Sequence, residues 1–162
     1  MAELIAVYPG TFDPITNGHL DIIERASPHV GRLIVAVSQN PGKTPLFSLE
    51  ERIAMIKEAC ADMDGVEVES FDGLLVDFAQ RAGSKLLIKG LRAVSDFEYE
   101  MQMAQMNFRL AGVETFFMTA SPKHSFLSSS LVKEVARFGG EINGLVPPEV
   151  VRRVKERFRG DA

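Results

Sequence analysis

The sequence predicts an α/β domain: a doubly wound, five-stranded parallel sheet with helices on both faces and one further helix at the C-terminus. Apolar runs of strand length recur at 4–8, 33–37, 66–71, 86–88 and 115–118, each followed by a stretch with helical spacing. Short β-rich runs alternating with helices imply βαβ units, whose strands lie parallel. The chain has 162 residues, and one domain typically takes about 100 to 200. A single domain spanning residues 1–162 is the expectation.

The elements follow in order. The first run leads through Tyr8-Pro9-Gly10-Thr11-Phe12-Asp13-Pro14 and Ile15-Thr16-Asn17-Gly18-His19 into a helical segment at 20–26. After the second run comes the polar loop Asn40-Pro41-Gly42-Lys43-Thr44-Pro45, then a helix at 49–62 whose start is marked by a capping box, Ser48 with Glu51. The third run leads through Gly73-Leu74-Leu75-Val76. Lys89-Gly90-Leu91-Arg92 follows the fourth, and a second capping box, Ser95 with Glu98, predicts a helix at 97–111. That helix carries two apolar stripes, Phe97, Met101, Ala104, Phe108 and Tyr99, Met103, Met106, Leu110, so both sides need cover from the sheet, another subunit or a flexible ligand arm. The fifth run precedes a serine-rich loop and a helix at 131–138. Gly83, Gly112 and Gly139 stand where helices end in the left-handed conformation. Pro147-Pro148 stops one element and pre-sets the first turn of a last helix at 148–158, whose Arg152, Arg153, Lys155, Arg157 and Arg159 read as a solvated basic face.

Composition narrows the function. Lys plus Arg number 18 against 22 Asp plus Glu, a net charge of −4, which argues against sequence-independent DNA binding. No apolar run approaches the roughly 18 residues of a membrane span, and residues 1–10 lack the parts of a secretory signal. One cysteine, Cys60, allows no internal disulfide, and no Cys/His spacing resembles a zinc site. The expectation is a cytoplasmic protein without nucleic-acid or membrane partners.

Ligands of open parallel sheets bind at the carboxyl ends of strands, and the loops rich in Gly, Pro, Ser and Asn follow the first, second, fourth and fifth strands. The first loop can offer backbone N–H groups to an anion at a helix N-terminus, and phosphate is the natural guest. It is neither the Gly-Lys-Ser/Thr phosphate loop nor the Gly-x-Gly-x-x-Gly fingerprint. His19 falls in the first helical turn, where an imidazole can donate to a phosphate oxygen, and Gly18 lets a nucleotide lie close. Lys89 and Arg92 flank Gly90 at the same sheet edge, a point charge beside a planar fork. Ser128, Ser129 and Ser130 precede a helix and combine hydroxyls with free N–H groups.

Thr16-Asn17-Gly18-His19 resembles the T/H-x-G-H motif of the nucleotidyltransferase superfamily, a Rossmann-like group related to the class I aminoacyl-tRNA synthetases. Gly10-Thr11-Phe12-Asp13-Pro14, Lys89-Gly90-Leu91-Arg92, Asp96-Phe97-Glu98-Tyr99-Glu100 and Ser125-Phe126-Leu127-Ser128-Ser129-Ser130-Leu131-Val132-Lys133-Glu134 extend the match. Together they closely resemble the bacterial phosphopantetheine adenylyltransferase family over residues 5–146. That resemblance implies transfer of the adenylyl group of ATP to 4′-phosphopantetheine, giving dephospho-coenzyme A and pyrophosphate, in a homohexamer. It assigns catalysis to Thr11, His19, Lys43 and Arg92. ATP falls to Thr11, Phe12, His19, Gly90, Leu91, Arg92, Glu100, His124, Ser125, Phe126, Leu127, Ser128, Ser129 and Ser130, and 4′-phosphopantetheine to Thr11, Lys43, Leu75 and Lys89. Many relatives have Arg where this chain has Lys89, which keeps the charge and removes the fork. The position of His124 varies in the family, so its backbone or ring face is what counts.

The chemistry asked of these residues is modest. A phosphate monoester with a second pKa of about 6 is largely dianionic at neutral pH, so direct in-line attack needs neither a general base nor a covalent enzyme intermediate. Positioning and electrostatics remain. No carboxylate cluster is visible to cage Mg2+, so the ion is expected on the ATP phosphates and no protein metal site is assigned. Two alternatives stay open: another small nucleotidyltransferase, using CTP with a polyol phosphate or ATP with nicotinamide mononucleotide, and a nucleotide-binding module without turnover.

Overall fold

The computed structural model describes residues 2–39, 42 and 44–160, with the side chains of 94 and 95 excepted. Five strands, β1 (Ile5–Gly10), β2 (Arg32–Ser38), β3 (Val66–Phe71), β4 (Leu86–Leu91) and β5 (Glu114–Thr119), alternate with α1 (Asn17–Ala26), α2 (Leu49–Ala59), α3 (Leu75–Arg81), α4 (Val94–Ala111), α5 (Ser129–Arg137) and α6 (Pro148–Arg159). All pairings are parallel, in the order β3-β2-β1-β4-β5. This is the doubly wound arrangement, with its switch point between β1 and β4.

Alternation along the central strands feeds two cores. Ala6, Tyr8, Leu33, Val35, Val37, Leu86 and Ile88 pack on one face with Ile22 and Ile23 of α1, Met55 and Ile56 of α2, Val132 of α5 and Val154 of α6. Val7, Ile34, Ala36 and Leu87 turn to the other face, against Val76, Phe78 and Ala79 of α3. Both faces are thus covered, which is why the strands read as continuous apolar runs. Among the described residues no helix is long and apolar enough to cross a membrane.

The two capping boxes that the sequence offers fare differently. Ser48 and Glu51 form the expected reciprocal capping box on α2. The expected box of Ser95 with Glu98 does not start α4: the helix begins at Val94, its N-cap is Ala93, and no side chain caps it. Asp96 instead accepts from Arg92 Nε at 3.2 Å, tying the first turn to the end of β4. Gly112 closes α4 at φ 64°, as expected of a left-handed C-cap. The two apolar stripes of α4 are left largely uncovered within the chain; Tyr99 is 64% and Phe108 54% exposed.

Candidate active site

β1 and β4 pair only at Ala6↔Leu86 and Val7↔Leu87, although β1 continues to Gly10 and β4 to Leu91. β1 by contrast pairs with β2 along its whole length. Where the β1–β4 ladder stops, a crevice of about 260 Å³ opens, lined by Tyr8 to Gly10, Lys89, Gly90, Arg92 and the first turn of α1.

The first loop is built tightly. Phe12 is buried, and its ring lies so near Gly10 that a Cβ there would come within 2.9 Å of it. Phe12 itself has φ 49°, a conformation that side chains other than glycine seldom hold without surrounding constraint. Its ring meets His19 edge-on at 5.0 Å between centroids. Thr16 caps α1, accepting from His19 N, while Thr16 N donates to His19 Nδ1 at 3.0 Å. A neutral ring whose Nδ1 accepts carries its proton on Nε2. The capping box therefore fixes the ring and its tautomer together, leaving Nε2–H as the donor of a side chain that lines the crevice.

Desolvation, then the positive charges of Arg92 and Lys89, push the His19 pKa down to about 4. An unfolded histidine takes its proton near pH 6.5, so between about pH 4 and 6.5 the unfolded chain holds the extra proton. This residue's contribution to stability is complete above that window and is lost as pH falls through it. In an NMR titration of the free protein, the His19 ring signals are expected to stay those of the neutral Nε2–H tautomer from pH 8 to 5.5. A midpoint near 6.5 would contradict the assignment.

The cations are held from the opposite side. Arg92 Nη1 donates to Leu127 C=O at 2.7 Å, joining β4 to the loop before α5. Lys89 Nζ lies 3.3 Å from Glu100 Oε1. His124, Leu127, Ser128 and Ser129 close the crevice. Ser128 is the N-cap of α5, accepting from Leu131 N. The crevice thus gathers His19, Gly90, Arg92, Glu100, Lys89, His124 and the first serines.

Thr11 is not in this crevice. It lines an adjoining cavity with Asp13, Gly42, Thr44, Ser130 and Lys133, and the two cavities meet at Ser129. Lys43 lies outside the described residues. Leu75 lines a third cavity, with Met103, Ala104, Asn107 and Thr115, which shares Lys89 and Glu100 with the main crevice. Phe12 and Leu127 give their side chains to the core, although Leu127 also reaches the crevice wall. Phe126 is exposed, Ser125 Oγ donates to Pro122 C=O, and Leu91 continues the ladder to β5.

Three functional supports escape a reading of the sequence. The buried carboxylate of Asp13 accepts from Leu46 N, Phe47 N and Lys133 Nζ at 2.8 to 2.9 Å. Arg52, 1% exposed, donates to main-chain carbonyls. Asp13 belongs to a quoted motif and Lys133 to another, but nothing local shows that they meet; Arg52 reads as one more charge on an amphipathic helix. Among the described residues, no three His, Cys, Asp or Glu cluster to hold a metal ion.

Residues 7–135 match the family described as Cytidylyltransferase-like. Proteins named phosphopantetheine adenylyltransferase are similar along nearly the whole chain. That of Alkaliphilus oremlandii is 57% identical over 95% of this chain and 99% of its own. That of Streptomyces coelicolor is 58% identical over 95% and 97%. Among solved structures, the lipopolysaccharide core biosynthesis protein of Thermoplasma volcanium shares the fold, with a TM-score of 0.54 at 20% identity over 74% of this chain and 98% of that one.

Proposed function

This chain belongs to the phosphopantetheine adenylyltransferases of the cytidylyltransferase-like family, and from that premise we propose how its crevice transfers the adenylyl group of ATP to 4′-phosphopantetheine, forming dephospho-coenzyme A and pyrophosphate. The observation that carries the reading is a fixed, uncharged imidazole donor set beside two cations, Lys89 and Arg92, at the switch point of the sheet.

The acceptor phosphate, with a second pKa of about 6, arrives mostly as a dianion. One of its oxygens forms the bond to the α-phosphorus of ATP as the bond to pyrophosphate breaks, and pyrophosphate leaves with the electron pair. No proton has to be taken from the nucleophile. His19 donates Nε2–H to an α-phosphate oxygen, where charge builds in the transition state. Thr11 and Lys43 orient the acceptor phosphate. Arg92 and the N-terminus of α5, with Ser129 and Ser130, hold the departing pyrophosphate. Gly90, Leu91, Glu100 and residues 124–128 frame the rest of the nucleotide, Phe12 through its main chain.

Leu75, Met103 and Ala104 give the third cavity walls suited to the methylenes of a pantetheine arm, and the Asn107 amide lies among them. Thr115 Oγ1, also there, is buried with no hydrogen-bond partner among the described residues. Both suit the arm's amide groups. Magnesium enters as the MgATP complex, where it neutralises phosphate oxygens; the lack of a carboxylate cluster among the described residues suits an ion carried by its nucleotide. The exposed apolar side of α4 supports assembly; the order that the family resemblance implies is a homohexamer, which light scattering would report as six times the mass of the chain. A buried, free Cys60 suits the cytoplasm.

Incubation with ATP, magnesium and 4′-phosphopantetheine is expected to yield dephospho-coenzyme A by mass, with an equivalent of pyrophosphate. Pyrophosphate release only with CTP and a polyol phosphate, or with ATP and nicotinamide mononucleotide, would move the chain to another nucleotidyltransferase activity. Thermal stabilisation by ATP without turnover on any acceptor would make it a binding module.

Gly18 offers a narrower test. A Cβ there would meet its neighbours no closer than 3.4 Å, so the protein itself tolerates one. The residue lines the crevice in the first turn of α1, where the methyl would face the nucleotide. Gly18→Ala is expected to leave the melting midpoint unchanged or slightly raised, since Ala outranks Gly in helices by up to about 1 kcal/mol, while ATP KM rises about tenfold. A lowered midpoint with wild-type ATP KM would contradict this.

A further inference from the structure

Arg52 is a buried charge whose cost calls for an explanation. Its side chain sits in the first turns of α2, and among the described residues no carboxylate comes within ion-pair distance of it. Nη1 donates to Thr11 C=O and to Ser38 C=O, both at 2.9 Å, and Nε to Phe47 C=O at 3.2 Å. Taking a guanidinium out of water is expensive, and an apolar side chain of similar volume would fill the space with less penalty. No other side chain, however, carries donors in a fork able to reach three carbonyls at once.

The three carbonyls are not a random set. Ser38 ends β2 and Phe47 precedes the cap of α2, so they are the two stems of the loop that carries Lys43. Thr11 heads the loop after β1. Phe47 is held from both sides, its N–H by Asp13 and its C=O by Arg52.

We propose that Arg52 is a positioning residue for the acceptor phosphate, fixing Thr11 relative to both stems of the Lys43 loop through three main-chain hydrogen bonds. The proposal rests on the reading that Thr11 and Lys43 face that phosphate. It places Arg52 away from the reacting atoms and makes it set their spacing, where an error of about 1 Å costs on the order of 100-fold in rate.

The test uses the full chain with two substitutions, Arg52→Met and Arg52→Lys, beside wild type. Folded fraction is read by circular dichroism, ATP affinity by calorimetry without acceptor, and kcat and both KM values by dephospho-coenzyme A formation. In folded Arg52→Met, kcat/KM for 4′-phosphopantetheine is expected to fall about 100-fold, with ATP affinity within about threefold of wild type. Arg52→Lys, which keeps the charge without the fork, is expected to recover part of the loss and carries the test if the Met variant is not folded. Wild-type acceptor kinetics in either folded variant would overturn the proposal. So would an equal loss toward both substrates, or failure of both variants to fold, each of which makes Arg52 a plain structural residue. If wild type forms no dephospho-coenzyme A, the functional reading fails instead; if it does and the variants match it, only this proposal fails.

Discussion

Removing the imidazole of His19 is expected to slow turnover by about 10²- to 10³-fold, the effect of deleting one preorganised donor to a developing oxyanion. ATP affinity is expected to change little, because the donor meets a charge that grows in the transition state. His19 also closes the cap of α1 through Nδ1, so His19→Ala carries a helix-capping loss of about 1 kcal/mol. His19→Asn separates the effects: its side-chain oxygen can still accept from Thr16 N, but it presents no donor at the Nε2 position. Both variants should then be equally slow while only the alanine is less stable. Wild-type kcat in His19→Asn would take the imidazole out of the reaction.

The largest effect on stability is expected at Asp13. Its carboxylate is 3% exposed and accepts from two backbone N–H groups and from Lys133 Nζ. Asp13→Asn swaps one acceptor oxygen for an amide nitrogen with nothing to accept and leaves Lys133 unpaired. Breaking a buried pair in this way costs about 3 to 5 kcal/mol. Lys133 reaches solvent in part, which places the expectation near about 3 kcal/mol, or roughly 10 °C in Tm for a chain of this size. Lys133→Met, which leaves the two N–H donors on Asp13, should cost less. A thermal melt of Asp13→Asn within about 2 °C of wild type would show that the carboxylate does not bind these segments together.

How far the sequence foretells this protein depends on the reach of each interaction. β3 matches its run residue for residue because Val66 and Val68 alternate with Glu67 and Glu69, the two-residue period of a strand with one covered side. The fourth apolar run ends at 88, yet Lys89↔Phe117 and Gly90↔Met118 continue the ladder, since backbone pairing is indifferent to the charge that ends the apolar run. The pattern Ser95 with Glu98 places the start of α4 too late because the extended residue that precedes the helix is Ala93, which puts Ser95 inside the first turn; the Arg92–Asp96 contact, four positions apart, is as local as the box it stands in for. The contiguous motif Thr16 to His19 was legible since its hydrogen bonds are local. Asp13 and Arg52 were not, because their partners come from distant segments, as with Asp13 and Lys133, 120 positions apart. Phe12 and Leu127, assigned to ATP by resemblance, place their side chains in the core, and motif matching does not distinguish a ring that packs from a backbone that binds.

The central claim is a single displacement by an acceptor that arrives ionised, with no enzyme-bound adenylyl group between. It is tested most directly by the stereochemistry of transfer from ATP made chiral at the α-phosphorus with sulfur. One in-line displacement inverts that centre, and the account predicts a dephospho-coenzyme A thiophosphate of inverted configuration. Retention would mean two displacements and a covalent intermediate, and would contradict it.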